Sequence, residues 1–386
     1  MSEVVIAGIG QRPVGEHYQI SLRDLALNAI ELALQDASGL QPDMMYVANM
    51  LAPTISHQAR LGALIADYAG LTGIEAATIE AGGASGGAAL RMASLALTAN
   101  QADVVLVVGV EKITDQLGPG AEAAQMLSVD SDYEAVHGLT PVAQSALLMQ
   151  RYLHEYQPPR AAFGGFACVA HANAVSNPFA MYRSPLSAEA YNQAGLISDP
   201  LNMFDIAPVA DGAAALLLTR RELLPPAYPH PLVRISGSGQ ATGRLALHDR
   251  TDLLDFESAR DSVQRACRQA GIRPGDVDLF ELYDSSSIVA ALSLEAAGFA
   301  ERGRGWQMAQ DDQLKRDGLL PIATFGGLKA RGNPGGATGV YQAVEAVLQL
   351  RGQAGPNQVL HTRRALIQCL AGPAATAVTH VLERLE

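Results

Sequence analysis

"TIEAGGASGGAAL", residues 78–90, runs from strand-forming residues into a helical pattern, with glycines crowding the junction. A strand-to-helix elbow usually offers a reactive side chain at its tip and free backbone amides around it. Here the tip is Gly82-Gly83, so the amides are present and a side chain is not. Ser85 stands two residues on. A serine alcohol needs an adjacent base to act as a nucleophile, and no histidine lies in this stretch, so Ser85 reads as a capping or packing residue. "FGGLKARGNPGGATG", residues 325–339, is a second glycine-rich approach to a helix. It has no P-loop Lys-Ser/Thr ending. Its amides suit an anion or a developing oxyanion, and its glycines equally suit tight packing between halves of the molecule. "GIGQRP", residues 8–13, begins like a dinucleotide fingerprint, but Pro13 takes the third glycine position, so it reads as a turn ending a strand. Cys168, Cys267 and Cys369 are scattered, without a CxxC pair, and the sequence offers no zinc or disulfide framework. Cys168 and Cys267 read as structural helix residues. His171 is a lone helical histidine.

The elements that must position these residues alternate. Val4–Ala7 reads as a strand, residues 21–37 as an amphipathic helix, then strand 45–48, helix 57–69, strand 76–79, helix 85–98 and the wholly apolar strand 104–110. Continuous apolar strands between helices indicate a parallel or mixed sheet covered on both faces, an α/β architecture. A less regular segment, about 111–205, carries a helix near 141–155 and the Pro/Asn-containing stretch "SNPFAMYRSPLS", in the manner of an inserted loop domain. Strand character returns near 213–219. The second half then repeats the layout of the first. "SLRDLALNAIELALQDASGLQPDMMYVANML" corresponds to "SARDSVQRACRQAGIRPGDVDLFELYDSS", and "GGASGGAALRMASLALTANQADVVLVVG" to "GGATGVYQAVEAVLQLRG" followed by "RALIQCLAG". Two matches in the same order imply duplicated α/β halves, 1–220 and 221–386, with a ligand crevice between them.

The 386 residues carry a formal net charge of −12, which argues against nucleic acid as a partner. No apolar run approaches membrane-spanning length, and the N-terminus has no signal-peptide layout. A cytoplasmic location is expected.

Taken together, the glycine segments resemble the thiolase superfamily, particularly the sterol-carrier-type and archaeal acetyl-CoA acetyltransferase thiolases. "IEAGGASGGAAL" is similar to the family's E-A-x-C-A-S-G-G nucleophile segment, "ELYDSSS" to its H-D-x-F stretch, and "FGGLKARGNPGGATG" to its GHPxGATG stretch. "NPFAMYRSPLS" with "SDPLNMFDIAPVADGAAALLL" is similar to its loop-domain exit, and "AATAVTHVLERL" to its C-terminal strand. The resemblance covers essentially the whole chain and implies a thiolase fold acting on coenzyme A thioesters, with no covalently bound cofactor and no metal. It also implies a homodimer or higher assembly and, among possible partners, a small OB-fold, zinc-ribbon companion.

The departures from the family pattern are chemical. The resemblance places Gly83 where the acyl-accepting cysteine stands, Asn333 where the GHP histidine stands, and Tyr283, Ser285 and Ser286 along the H-D-C-F stretch. Cys369 falls one residue out of register with the family's C-x-G cysteine. Acyl transfer through a thiolate is then lost. A retro-aldol cleavage or its reverse needs no covalent nucleophile, only a base for the hydroxyl and donors for an enolate oxygen. Tyr283 is the candidate base, provided that a neighbour lowers its pKa, with Ser285 assisting. Asn333 and the amides of Gly83 and Gly372 are the candidate oxyanion donors. The alternative is a non-catalytic acyl-CoA-binding subunit of a larger complex, and a conventional acyltransferase is the third reading. Gly83, Tyr283 and Asn333 are expected to converge on one pocket, with a void or a water where a thiol is absent.

Overall fold

The computed structural model describes residues 3–116 and 118–385. The first half contains β1 (Val4–Gln11), α1 (Leu22–Asp36), β2 (Met44–Ala48), α2 (Leu61–Tyr68), β3 (Glu75–Ile79), α3 (Ser85–Thr98) and β4 (Val104–Glu111). Ser21 starts α1 as its N-cap, accepting from the Asp24 amide at 3.2 Å; such a cap contributes about 1 kcal/mol. Its sequence counterpart Ser258 caps nothing. It lies inside a helix and donates to the Ala374 carbonyl.

The inserted segment holds α4 (Pro141–Tyr156), begun by Thr140 and Pro141 at its first position, and α5 (Gly164–Ala174). It also holds a two-strand hairpin, Leu196–Ser198 with Leu201–Asn202, that sequence patterning does not reveal. The chain returns through β5 (Gly212–Arg220). The second half adds β6 (Val233–Thr242), α6 (Glu257–Ala270), β7 (Leu279–Glu281), α7 (Ser287–Ala296), α8 (Thr338–Arg351), β8 (Arg364–Ala371) and β9 (Thr376–Arg384).

The strands form one nine-stranded mixed sheet in the order β3-β2-β4-β5-β1-β6-β9-β8-β7. The strands of the two halves are thus continuous in one sheet. The two sets meet through the antiparallel pair Val5↔Arg234. Read from its outer edge, the second set repeats the first. β7 pairs in parallel with β8 as β2 does with β4, and the short parallel bridge Phe280↔Ile322 stands where β3 pairs with β2. The glycines repeat too. A Cβ on Gly8 or Gly10 would lie 2.2–2.3 Å from α1 carbonyls, and one on Gly237 or Gly239 would lie 2.0–2.2 Å from α6 carbonyls. "GIG" and "GSG" are therefore sites of close strand–helix contact, as a strand-interior glycine often is.

α1 packs on β1, β5 and β4, α2 on β2 and β3, and α6 on β6, β9 and β8. α3 and α8 pack against each other and touch strands of both halves. They cross on glycine: a Cβ on Gly86 would meet Gly339 Cα at 2.8 Å, and one on Gly339 would meet the Gly87 amide at 2.5 Å. Tight packing therefore accounts for these glycines. β3 lies at one edge of the sheet with most of its residues exposed or half-buried. Among the described residues no helix is long and apolar enough to cross a membrane, and no group of three or more His, Cys, Asp or Glu is placed to hold a metal ion.

Candidate functional site

Four segments that end strands or open helices meet at one place. After β3 the chain turns through Gly82, whose φ of +56° favours glycine. Ser85 locks this turn: its hydroxyl donates to the Gly82 carbonyl at 2.6 Å and accepts from the Ala81 amide at 2.9 Å. It is fully buried and structural, as its sequence context indicates.

After β7 the chain carries Tyr283, Asp284 and Ser285 to α7, whose N-cap Ser286 accepts from the Val289 amide. Asp284 is buried and takes the Leu328 amide at 2.7 Å, which pins this segment to the one before Asn333. Asn333 is held on both sides, its amide donating to Pro208 and its carbonyl accepting from Ala210. Its Oδ1 accepts from the Gly335 amide at 3.2 Å and the Thr338 hydroxyl at 3.1 Å. That leaves Nδ2 as the polar end free to serve Tyr283, whose phenolate the Asn333 side chain favours. After β8, Gly372 turns the chain at φ +52°.

Gly83, Tyr283, Ser285, Asn333 and Gly372 all line one cavity of about 90 Å³. Gly83 thus shares a pocket with residues that lie 200 to 289 positions further along the chain. Its remaining walls are mainly apolar and include Met50, Leu51, Ile113, Val142, Ile206 and Val289.

The expected void at Gly83 is absent. A Cβ at position 83 would lie 2.2 Å from the Tyr283 hydroxyl, 2.8 Å from its ring and 2.6 Å from the Leu370 carbonyl oxygen. The tyrosine occupies the room that a side chain at 83 would take. The expectation of a lowered phenol pKa is also corrected. Burial, with Cys369 and Asp284 nearby, holds Tyr283 well above the ordinary tyrosine value, and the Asn333 contact and Arg331 only partly offset this. Tyr283 is 6 % exposed, and it rests as a neutral phenol.

No cysteine is among the residues lining this cavity. Cys369 is fully buried against the α3–α8 crossing, donates to Gln342 Oε1 at 3.2 Å, and burial pushes its thiol up to about 12. Burial likewise raises Cys168 and Cys267. His171 is not among the lining residues. Its ring packs on Tyr182 and Phe204, its Nδ1 meets the Ser184 carbonyl, and burial lowers its pKa.

Two carboxylates that sequence reasoning passed over frame the pocket. Glu111 ends β4 and takes four neutral donors, and burial still pushes its pKa up to about 7. Asp211 precedes β5 and accepts from the Ile113 and Thr114 amides at 2.7 and 2.8 Å. Both carboxylates adjoin the ends of apolar central strands, in "VVGVEK" and "PVADGAA". An acid abutting a buried strand was the signal available, since α/β sites gather at strand ends.

Comparison with known proteins agrees with this architecture. Residues 4–222 match the family described as Thiolase, N-terminal domain, and residues 239–384 the one described as Thiolase C-terminal domain-like. The chain belongs to the thiolase superfamily. It is 37% identical, over the full length of both chains, to the acetyl-CoA acetyltransferase of Methanothermobacter thermautotrophicus. It is 29% identical to the steroid side-chain-cleaving aldolase of Thermomonospora curvata, over 89% of each chain. Among solved structures it is similar to the Ltp2-ChsH2(DUF35) aldolase, with a TM-score of 0.82 and 25% identity over 99% of this chain and 98% of that one.

Proposed function

We propose that this thiolase-superfamily chain breaks or makes a carbon–carbon bond in an acyl-CoA thioester by retro-aldol chemistry, without an acyl-enzyme. Gly83 stands at the family's nucleophile position and Tyr283 acts in place of the missing thiol. The observation that carries this reading is the Tyr283 hydroxyl 2.2 Å from where a Cβ of residue 83 would begin. A proton-transferring group therefore stands where the chemistry of a thiol would start, and a thiol does not fit beside it.

In cleavage, the minor ionised form of Tyr283 takes the β-hydroxyl proton and the C–O bond becomes a carbonyl. The Cα–Cβ bond breaks, and its electron pair moves into the thioester as an enolate. The enolate oxygen takes hydrogen bonds from the amides of Gly83 and Gly372, with Asn333 beside Tyr283, and the enolate carbon then takes the proton from the Tyr283 phenol, which restores the ionised form. A single well-placed oxyanion donor is worth about 3 kcal/mol. In condensation the same atoms move in reverse, and neutral Tyr283 donates its proton to the new alkoxide. The similarity to named aldolases supports this chemistry. The similarity to acetyl-CoA acetyltransferases supports the coenzyme A thioester as the substrate class.

Conventional thiolase turnover is expected to be absent. Incubated with acetoacetyl-CoA and free CoA, the protein should leave the enolate absorbance unchanged, and iodoacetamide should leave any carbon–carbon cleavage intact. Turnover near 1–1000 per second would restore the acyltransferase reading. The second reading, a non-catalytic acyl-CoA-binding subunit, is favoured by one observation, the resting neutral phenol. An OB-fold, zinc-ribbon companion fits either reading, and the solved aldolase to which the chain is similar is itself named with a DUF35 component.

We also assign the chain a homodimeric state through β3. An edge strand with unpaired backbone groups invites pairing with a second copy, and Met92 and Leu95 on the following helix are 41 % and 47 % exposed. Light scattering at micromolar concentration should return twice the 40.5 kDa chain mass. A clean monomer would rule out this edge as a permanent interface.

A further inference from the structure

The Glu111 carboxylate joins two walls of the pocket from behind. Its Oε1 accepts from Asn49 Nδ2 at 2.7 Å and from the Leu51 amide at 3.0 Å. Its Oε2 accepts from the Met50 amide at 2.9 Å and the Gly336 amide at 3.0 Å. Met50 and Leu51 line the cavity on the first-half side, and Gly335, next to Gly336, lines it on the second-half side. Glu111 is 0 % exposed and is not itself a lining residue. Asn49 is tied in as well, its Nδ2 shared with the Val110 carbonyl and its Oδ1 accepting from the Ala52 amide. Gly335 lies so close that a Cβ there would come within 3.1 Å of Oε2. The walls therefore cannot spread without breaking hydrogen bonds to a fully buried carboxyl group. A buried polar group left without its partners is costly.

The size that this clamp preserves is small. The cavity of about 90 Å³ is below the ~150 Å³ that admits benzene, and scales to about four carbon atoms. We propose that Glu111 is a positioning residue that clamps residues 50–51 against residues 335–336 and so limits the acyl group beside Tyr283 to a short chain. This rests on the acyl-CoA reading of the pocket, but not on any reaction occurring there.

The test is equilibrium binding of propionyl-CoA and octanoyl-CoA to the full-length protein by calorimetry. A longer chain ordinarily binds about 4-fold tighter per buried methylene, so an unconstrained apolar pocket would favour octanoyl-CoA. The wild type is expected to prefer propionyl-CoA by at least about 10-fold. Glu111→Gln keeps the shape, but whichever way the amide turns, its NH2 faces two donors. The preference should fall about 10-fold or invert. Gly336→Ala approaches the same joint from the other side, because its Cβ would lie 2.9 Å from the Asn49 carbonyl carbon and the Met50 amide. It should move the preference in the same direction, and it decides the matter if Glu111→Gln does not fold.

Unchanged preference in the folded variants, even with a lowered melting temperature, would make Glu111 merely structural and overturn the clamp. So would a wild type that favours octanoyl-CoA or binds neither thioester. A short-chain preference without any cleavage would instead leave the clamp standing and remove the retro-aldol reading.

Discussion

Gly83→Cys is expected to yield a protein that still transfers no acyl group and is less stable than the wild type. The void expected from the sequence at Gly83 would have left room for such a thiol. The structure leaves none. The first side-chain atom would overlap the Tyr283 hydroxyl at 2.2 Å and the Leu370 carbonyl oxygen at 2.6 Å. The first contact belongs to a buried ring and the second to a sheet strand, and neither is the free end of a flexible chain. Overpacking of this kind costs about 1–3 kcal/mol, and more where backbone must move. Gly83→Ala should therefore fail nearly as badly as Gly83→Cys, although alanine brings no chemistry. The two residues in contact should also be coupled. In a Tyr283→Leu background Gly83→Ala should cost less, by about 0.5–3 kcal/mol, with the Leu370 contact left as a residue of strain. Denaturant melts of the four proteins measure this. Additive losses would mean that the ring does not occupy the space at 83.

Much of this fold can be read along the chain, because its strands and helices follow local rules. The strand Val104–Glu111 is a continuous apolar run up to its final glutamate, and all of it is buried. The helix Leu22–Asp36 begins at a serine that caps it. The duplicated order of elements is visible as repeated glycine-helix-strand phrases. The union of two strand sets into one sheet is not visible, because it rests on one edge pairing, Val5↔Arg234, set by how the halves dock. The glycine-rich phrases were ambiguous for a related reason. Gly86 and Gly339 are fixed by a helix crossing, whereas Gly83 is fixed by a tyrosine 200 positions away. A glycine has the same letter in both cases.

The candidate site was legible as a set of residues but not as a chemical state. Resemblance brought Gly83, Tyr283, Ser285, Asn333 and Gly372 together, and they do line one cavity. The protonation of Tyr283 depends on burial and on neighbours such as Cys369 and Asp284, which no spacing rule reports. Glu111 escaped notice because three of its four partners are backbone amides, from residues 50, 51 and 336. Such amides carry no residue-type signature.

Tyr283→Phe is expected to abolish cleavage, and the wild-type rate is expected to climb with pH. General acid–base groups contribute about 100-fold to 10,000-fold, so the loss should be at least 100-fold. Phenylalanine removes only the oxygen and keeps the ring that fills the space beside Gly83, so the variant should stay folded. The pH dependence follows from the direction of the shift. Burial holds the folded phenol above the ordinary value of about 10. Throughout the neutral range it is therefore protonated, and the fraction able to accept the β-hydroxyl proton rises about tenfold per pH unit. The logarithm of kcat/KM for cleavage should rise with unit slope from about pH 7 to pH 10 without a plateau. Cleavage exchanges no net proton with solvent, so condensation, which begins with the ionised phenol taking the α-proton, should show the same rise. A plateau near neutrality would point to a base of lower pKa, supplied by the substrate complex or by a partner chain. Full activity in Tyr283→Phe would move the proton transfer elsewhere and leave Asn333 as packing.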